Sequence, residues 1–171
     1  MPNIRIHNGL DIEYDTFGSP HDPALLLVQG YGGHMVNWRP GFCQRLADGD
    51  AQGGLYVIRY DNRDVGLSSK FHGRAVDLDA IRARMEAGDL AGARALAPYS
   101  LSDMASDGLG LLTALGIDRA HVMGSSLGGT IAEELVYREI SNGATSDLEK
   151  ASRIARSISS SSVPQCCIGS L

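Results

Sequence analysis

The sequence lacks both a long apolar run and a cluster of basic residues. No segment approaches the roughly 18 continuous apolar residues of a membrane span, and residues 1–15 alternate polar and apolar side chains without the apolar core of a signal peptide. The net charge is −5 and the basic residues are scattered, so nothing matches a nucleic-acid backbone or an anionic membrane surface. We therefore expect a soluble, cytoplasmic chain that binds neither nucleic acid nor membrane.

Cysteine is also scarce. The three cysteines, Cys43, Cys166 and Cys167, are an odd number without a C-x-x-C motif, which indicates neither a disulfide framework nor a zinc site. We expect free thiols in a reducing compartment and no metal or other cofactor. The C-terminal residues match neither a prenylation box nor a peroxisomal signal.

Apolar runs alternate with helical patterns along the chain. Residues 4–17 are two alternating runs around Asn8-Gly9, which predicts a β-hairpin. Residues 24–30, 54–61 and 119–124 are near-continuous apolar runs, typical of strands buried on both faces. This order predicts an α/β fold, with a mostly parallel sheet, helices on both faces and an N-terminal hairpin. At 171 residues and 43% hydrophobic composition, one domain over 1–171 is expected.

Two helical segments separate the second and third apolar runs. Ser100 and Asp103 predict a capped start for a helix that ends at Gly116. Its apolar stripe comprises Leu101, Met104, Gly108, Leu111, Leu112 and Leu115. The other segment begins at an Asp77 cap but is interrupted by two glycines, so we interpret residues 72–99 as a helical insertion on the surface.

A serine stands between glycines where the third apolar run meets the next helix. Gly124, Ser126 and Gly128 match G-x-S-x-G, in which a tight strand-to-helix turn exposes a nucleophilic serine at the carboxyl edge of a sheet. The alternative is a glycine- and serine-rich turn without chemistry. Phosphate-loop motifs do not fit, because no G-K-[ST] follows and Met35 occupies the last glycine position of G-x-G-x-x-G.

A second glycine-rich segment, "QGYGGH" at 29–34, follows the most apolar run. Acyl transfer needs two backbone N–H donors for the oxyanion, one after the nucleophile and one in such a loop. Leu127 and Tyr31 occupy these positions. The alternative for residues 29–34 is a flexible turn.

These segments resemble the α/β-hydrolase fold family and, within it, a methylesterase-like branch. The resemblance covers residues 3–140 and rests on "LLLVQGYGG", "VIRYDNRDVGLSS" and "YSLSDMASDGLGLLTALGIDRAHVMGSSLGG". It implies cleavage of a small-molecule carboxylic ester through an acyl-enzyme, with Ser126 as nucleophile and the N–H groups of Tyr31 and Leu127 as oxyanion hole. It also implies that Asp61, Arg63 and Gly66 form a structural loop.

The histidine and acid that this family places after its serine have no counterpart here. The five histidines, His7, His21, His34, His72 and His121, all precede Ser126. Carboxylates do follow it, at Glu133, Glu134, Glu139, Asp147 and Glu149, but in the helix or the polar segment beyond. His121 starts the strand before the serine, which favours a packing role, and His34 is the only histidine that can point into the site as a substitute base.

Residues after 140 depart from the family pattern. "RIARSISSSS" resembles the next strand of relatives, whereas residues 163–171 match nothing in the family. We expect an incomplete domain that lacks its last strands, has low or no activity, and can self-associate through an open sheet edge. Two functions stay open: a serine ester hydrolase, or a non-catalytic hydrolase-like fragment that binds a small ligand or a partner.

Overall fold

The computed structural model describes residues 2–51, 53–72, 76–140 and 166–170, with side chains for all of these except 138–140 and 166–170. Six described strands form one sheet in the order β1-β2-β4-β3-β5-β6. Their bounds are β1 Asn3–Arg5, β2 Asp11–Phe17, β3 Ala24–Val28, β4 Tyr56–Tyr60, β5 Ala120–Ser125 and β6 Cys166–Ser170.

The described helices connect these strands. They are α1 Pro40–Asp48, α2 Leu78–Glu86, α3 Leu90–Leu96, α4 Leu101–Ala114 and α5 Leu127–Ile140, with a short 3₁₀ turn at Met35–Asn37. The capped start predicted for α4 is confirmed: the Ser100 and Asp103 side chains each accept a hydrogen bond from the other residue's main-chain N–H. Asp77 likewise caps α2. Gly116, with φ of 71°, follows the end of α4 as predicted.

The sheet is mixed. The central strands β4, β3 and β5 are parallel, with Leu26 opposite both Ile58 and Val122. The predicted hairpin is confirmed, because β1 pairs with β2 in antiparallel fashion, and β2 continues antiparallel to β4. On the other side, β6 pairs antiparallel to β5, which no pattern in residues 163–171 predicted. The strand-like segment "RIARSISSSS" lies outside the described residues.

Helices cover both faces of the central strands, as the near-continuous apolar runs predict. Along β3, Leu26 and Val28 belong to a core with α4 and α5, whereas Leu25 and Leu27 belong to a second core with α1. Each strand residue therefore packs on a helix layer, whichever face it points to. Because helices cover both faces of the sheet, the loops that follow the parallel strands lie together at the carboxyl ends of these strands.

Cys43 is a free, buried thiol, and within the described ranges no helix is long and apolar enough to cross a bilayer. The cytoplasmic location, the self-association through a sheet edge and the status of residues 72–99 as an insertion stay predictions.

Candidate active site

Ser126 lies alone between β5 and α5. The strand ends at Ser125 and the helix begins at Leu127, so one residue makes the entire turn. Its φ of 56° is in the left-handed region, which L-residues other than glycine rarely adopt. The side chain is exposed. The strand-turn-helix context that the sequence predicted is thus present, with the serine held in a strained conformation.

The two flanking glycines are required by close backbone contacts. A Cβ atom on Gly124 would overlap the carbonyl oxygen of Gly128, and a Cβ on Gly128 would overlap the carbonyl oxygen of Val28. The first contact draws the end of β5 against the start of α5. The second draws α5 against the end of β3. Both glycines therefore allow the helix to start directly behind the serine.

Gly30 places the glycine-rich loop against this turn. A Cβ atom on Gly30 would lie 2.9 Å from the carbonyl oxygen of Ser125 and 3.0 Å from Ser126 Cβ. It would also lie 3.5 Å from the main-chain nitrogen of Leu127. The loop after β3 and the first N–H of α5 are therefore neighbours. The first N–H groups of a helix have no intrahelical acceptor, so the Leu127 N–H is available to a ligand.

Residues 30–33 form a tight turn. The Gly33 N–H donates to the Gly30 carbonyl at 3.1 Å, and Gly32 has a φ of 64°, which together define a turn of the type that needs glycine at its third position. The N–H of Tyr31 has no acceptor among the described residues, and the Tyr31 side chain is 92% exposed. Tyr31 follows Gly30, which packs against the Ser126 turn, and its role with Leu127 as an oxyanion hole stays a prediction.

Gln29 braces the same loop. Its side-chain Oε1 accepts from the Gly30 N–H at 3.0 Å, and its carbonyl accepts from Asn62 Nδ2 at 2.9 Å. The first bond occupies the Gly30 donor, whereas the N–H groups of Tyr31 and Gly32 have no acceptor among the described residues. The second joins the loop to the segment that follows β4. Sequence reasoning assigned no role to Gln29 or Asn62, although both lie in quoted segments, because the bond between them joins loops 33 positions apart.

A cavity of about 390 Å³ opens beside the turn. Its walls come from the two loops, the start of α4 and the start of α5. The lining residues are 30–32, 62–65, 99–101, Met104 and Leu127. Sequence patterns singled out Tyr31 and Leu127 but not the wall from Tyr99 to Met104. The residues of this wall were interpreted as the cap and apolar stripe of a helix.

One residue that lines the cavity, Arg63, belongs to a buried ion pair. Arg63 Nε donates to Asp107 Oδ2 at 2.6 Å, and Nη2 donates to Oδ1 at 2.7 Å. Asn8 Nδ2 donates to the same Oδ1 at 2.8 Å, which ties the hairpin turn to α4. Burial disfavours the charged guanidinium, but the hydrogen bond and charge of Asp107 more than offset it, so the pKa of Arg63 is raised.

Aromatic rings enclose the Arg63 guanidinium. Its Cζ atom lies 5.2 Å from the Tyr99 ring centroid and 5.4 Å from that of Phe71. Burial, and then the hydrogen bond to the Asp64 carboxylate, raise the pKa of Tyr99. Asp64 also accepts from the Phe71 N–H at 2.7 Å and has a φ of 64°. Asp64 thus lines the cavity and Ser126 lies next to it, and both residues have a strained, left-handed backbone.

Asp61 and Gly66 organise the segment that carries Arg63. The buried Asp61 carboxylate accepts from the main-chain N–H groups of Met35 at 2.7 Å and Leu67 at 3.1 Å. A Cβ on Gly66 would overlap that carboxylate. Asp61 thereby joins the 3₁₀ turn at Met35–Asn37 to the segment after β4. These contacts are what a structural loop requires.

The histidines and carboxylates are spread over several elements. His34 is exposed just before the 3₁₀ turn and its side chain makes no cap hydrogen bond, while His121 is exposed near the start of β5. Glu133 and Glu134 lie on α5. The side chain of Glu139, and all of Asp147 and Glu149, lie outside the described residues.

Comparison with known proteins gives the family. The model for the alpha/beta hydrolase fold matches residues 23–162. Rhodomycin D methylesterase DauP of Streptomyces sp. (strain C5) is 35% identical over 121 residues, which are 71% of this chain and 32% of that protein. Rhodomycin D methylesterase DnrP of Streptomyces peucetius is 33% identical over 136 residues, 79% of this chain and 37% of that protein.

A solved structure agrees with these matches. The enol-lactonase from Burkholderia xenovorans LB400 superimposes with a TM-score of 0.59 at 25% identity, over 81% of this chain and 42% of that one. The chain belongs to the alpha/beta hydrolase fold family, and the resemblance to its methylesterase-like branch is confirmed by the two methylesterase relatives. It spans about a third of the length of these relatives, 32% and 37%.

Proposed function

We propose that this chain carries the nucleophile and oxyanion hole of a serine hydrolase for small carboxylic esters. The observation that supports it most is the backbone of Ser126: an exposed serine with φ of 56°, packed between glycines and followed at once by a helix. A strained conformation persists only where surrounding contacts enforce it, and such residues cluster at active sites. The methylesterase relatives favour an ester as substrate.

In the proposed reaction, Ser126 Oγ attacks the ester carbonyl carbon and loses its proton to a base. The carbonyl oxygen becomes an oxyanion that accepts hydrogen bonds from the N–H groups of Tyr31 and Leu127. Collapse of this intermediate breaks the bond to the alcohol oxygen, which takes up a proton and leaves an acyl group on Ser126. Water then releases the acid. His34, beside the Tyr31 loop, is the one histidine we propose as a base.

Labelling with a fluorophosphonate probe tests the nucleophile. The probe should modify Ser126 in the folded chain, and peptide mapping by mass spectrometry should place the label there. Ser126→Ala should abolish labelling, whereas Ser125→Ala, one residue away at the strand end, should keep it. His34→Ala should slow labelling if His34 is the base, and leave its rate unchanged if it is not.

The second candidate is a non-catalytic hydrolase-like protein that binds a small ligand in the same cavity. It is favoured by the order of residues, because every histidine precedes Ser126. Loss of the base costs about 10⁶ in turnover, although oxyanion and binding effects can leave roughly 10³ to 10⁴ over water. A folded chain that the fluorophosphonate does not label, and that releases no nitrophenol from 4-nitrophenyl acetate above the Ser126→Ala background, would favour this second function.

A further inference from the structure

Arg63 is a buried cation whose hydrogen bonds are incomplete. Its side chain is only 7% exposed. Nε and Nη2 donate to Asp107, and Nη2 also donates to the Asp103 carbonyl at 3.1 Å. Nη1 has no acceptor among the described residues. Nη1 is not one of the fully buried side-chain atoms that lack a partner in the described residues, so it is accessible, and Arg63 lines the cavity beside Ser126.

The contacts on the other atoms fix the direction of the guanidinium. The fork formed by Nε and Nη2 is anchored to the carboxylate of Asp107, whose Oδ1 also accepts from Asn8 Nδ2. The Tyr99 and Phe71 rings lie against the guanidinium carbon at 5.2 and 5.4 Å. A planar group held in this way cannot turn to satisfy Nη1 elsewhere. Its remaining N–H groups are available to a molecule in the cavity.

Charges around Arg63 determine which acceptor it can take. Asp107 already balances the guanidinium, and Asp64 adds a second carboxylate to the cavity wall. Asp103 lies close enough for the charge of Arg63 to act on it. An anionic ligand would bring a further negative charge to this group. A neutral oxygen, such as a ketone or amide carbonyl, takes the hydrogen bond without that repulsion.

We propose that Arg63 is a specificity-determining residue whose Nη1 group donates to a neutral carbonyl oxygen carried by the acyl chain of the ester. This rests on the proposed function only in taking an ester as ligand. The apolar side chains of Leu101, Met104 and Leu127 contact the rest of the acyl chain, and Tyr31 and Leu127 hold the carbonyl that reacts. Esters with a second carbonyl are therefore preferred over alkyl esters of the same shape.

Binding to the Ser126→Ala chain tests the proposal without requiring hydrolysis. The probes are methyl 4-oxopentanoate and methyl 4-methylpentanoate, in which a methyl group replaces the ketone oxygen. The ketone should bind roughly tenfold more tightly, the ratio for one hydrogen bond to a charged donor. In NMR titrations, the Arg63 guanidinium resonances should shift with the ketone and not with the alkyl ester.

Variants of the same chain provide the controls. Arg63→Lys keeps the charge beside Asp107 but removes Nη1, and should abolish the preference for the ketone. Asp64→Asn alters the same cavity and should keep it. Equal affinities for the two probes, a preference that survives Arg63→Lys, or tighter binding of monomethyl succinate than of the ketone would overturn the proposal. If Arg63→Lys does not fold, the guanidinium resonances of the parent chain decide.

The two proposals fail in different ways. Labelling of Ser126 without a ketone preference would contradict the role of Arg63 alone. A ketone preference in a chain that the fluorophosphonate does not label would contradict the hydrolase and retain Arg63 as the selecting group of a binding protein.

Discussion

At the scale of single residues, the proposed function of Ser126 and the stability of its turn oppose each other. The left-handed conformation costs an L-residue roughly 1–2 kcal/mol compared with glycine. The turn nevertheless has a side chain at this position, while glycine stands at Gly30, Gly124 and Gly128, where backbone approaches closely. A residue that only shaped the turn would be glycine too. The retained hydroxyl supports its role as the nucleophile.

Replacement of Ser126 by glycine should therefore stabilise the fold. We expect Ser126→Gly to raise the free energy of unfolding by about 1 kcal/mol in urea denaturation, because it relieves the left-handed strain. Ser125→Gly, in the strand, should lower that free energy by about 0.5–1 kcal/mol. Equal destabilisation by the two changes would contradict the strain at Ser126.

At the scale of elements, a buried ion pair joins the segment after β4 to α4. Asp107 is 1% exposed and Arg63 is 7% exposed, and Asn8 adds a bond from the hairpin turn. Three parts of the chain that are distant in sequence thus share one carboxylate. In contrast, the exposed ion pair of Arg5 and Asp11 joins only the two adjacent strands of the hairpin.

Removal of the shared carboxylate should be costly. We expect Asp107→Ala to lower the free energy of unfolding by about 3–5 kcal/mol, because it leaves the Arg63 charge buried without its partner. Asp11→Ala, which breaks the exposed pair, should change stability little. Thermal or urea denaturation monitored by circular dichroism measures both. A similar loss of unfolding free energy in the two variants would show that the buried network stabilises the fold no more than the exposed pair does.

Sequence patterns predicted the elements better than the cavity. The apolar runs, the cap formed by Ser100 and Asp103, and the turn at Ser126 are local signals, since each depends on residues within a few positions. The ion pair between Arg63 and Asp107 spans 44 positions, and the cavity wall at Tyr99 forms only when α4 packs on the sheet. The antiparallel β6 was missed because "CCIGS" has no alternating polar face.

At the scale of the whole molecule, stability is distributed unevenly. The central strands are buried by helices on both faces, with Leu26, Val28, Ile58 and Val122 fully buried. In contrast, α2 buries none of its residues and α3 buries Ala93 alone. Leu78, Met85 and Leu90 on these two helices are each more than half exposed. The two helices therefore add little apolar burial to the fold.

Hydrogen exchange should reflect this distribution. Amides of α2 and α3 should exchange through local opening, orders of magnitude faster than those of β3, β4 and β5, which should require global unfolding. Mass spectrometry of peptides from residues 78–96 and 24–28 gives the comparison in one experiment. If the amides of α2 were as protected from exchange as those of β3, α2 and α3 would be docked more firmly than their exposure indicates.

The contact between Gly128 and the main chain at Val28 also sets an order of events. The serine turn is complete only when α5 lies against the end of β3, about a hundred positions earlier in the chain. Parallel pairing of β3 with β5 closes a long loop and forms slowly. We therefore expect the turn that holds Ser126, the proposed nucleophile, to be assembled late in folding. Until the sheet is built, Ser126 of a newly made or partly unfolded chain should react like an ordinary serine.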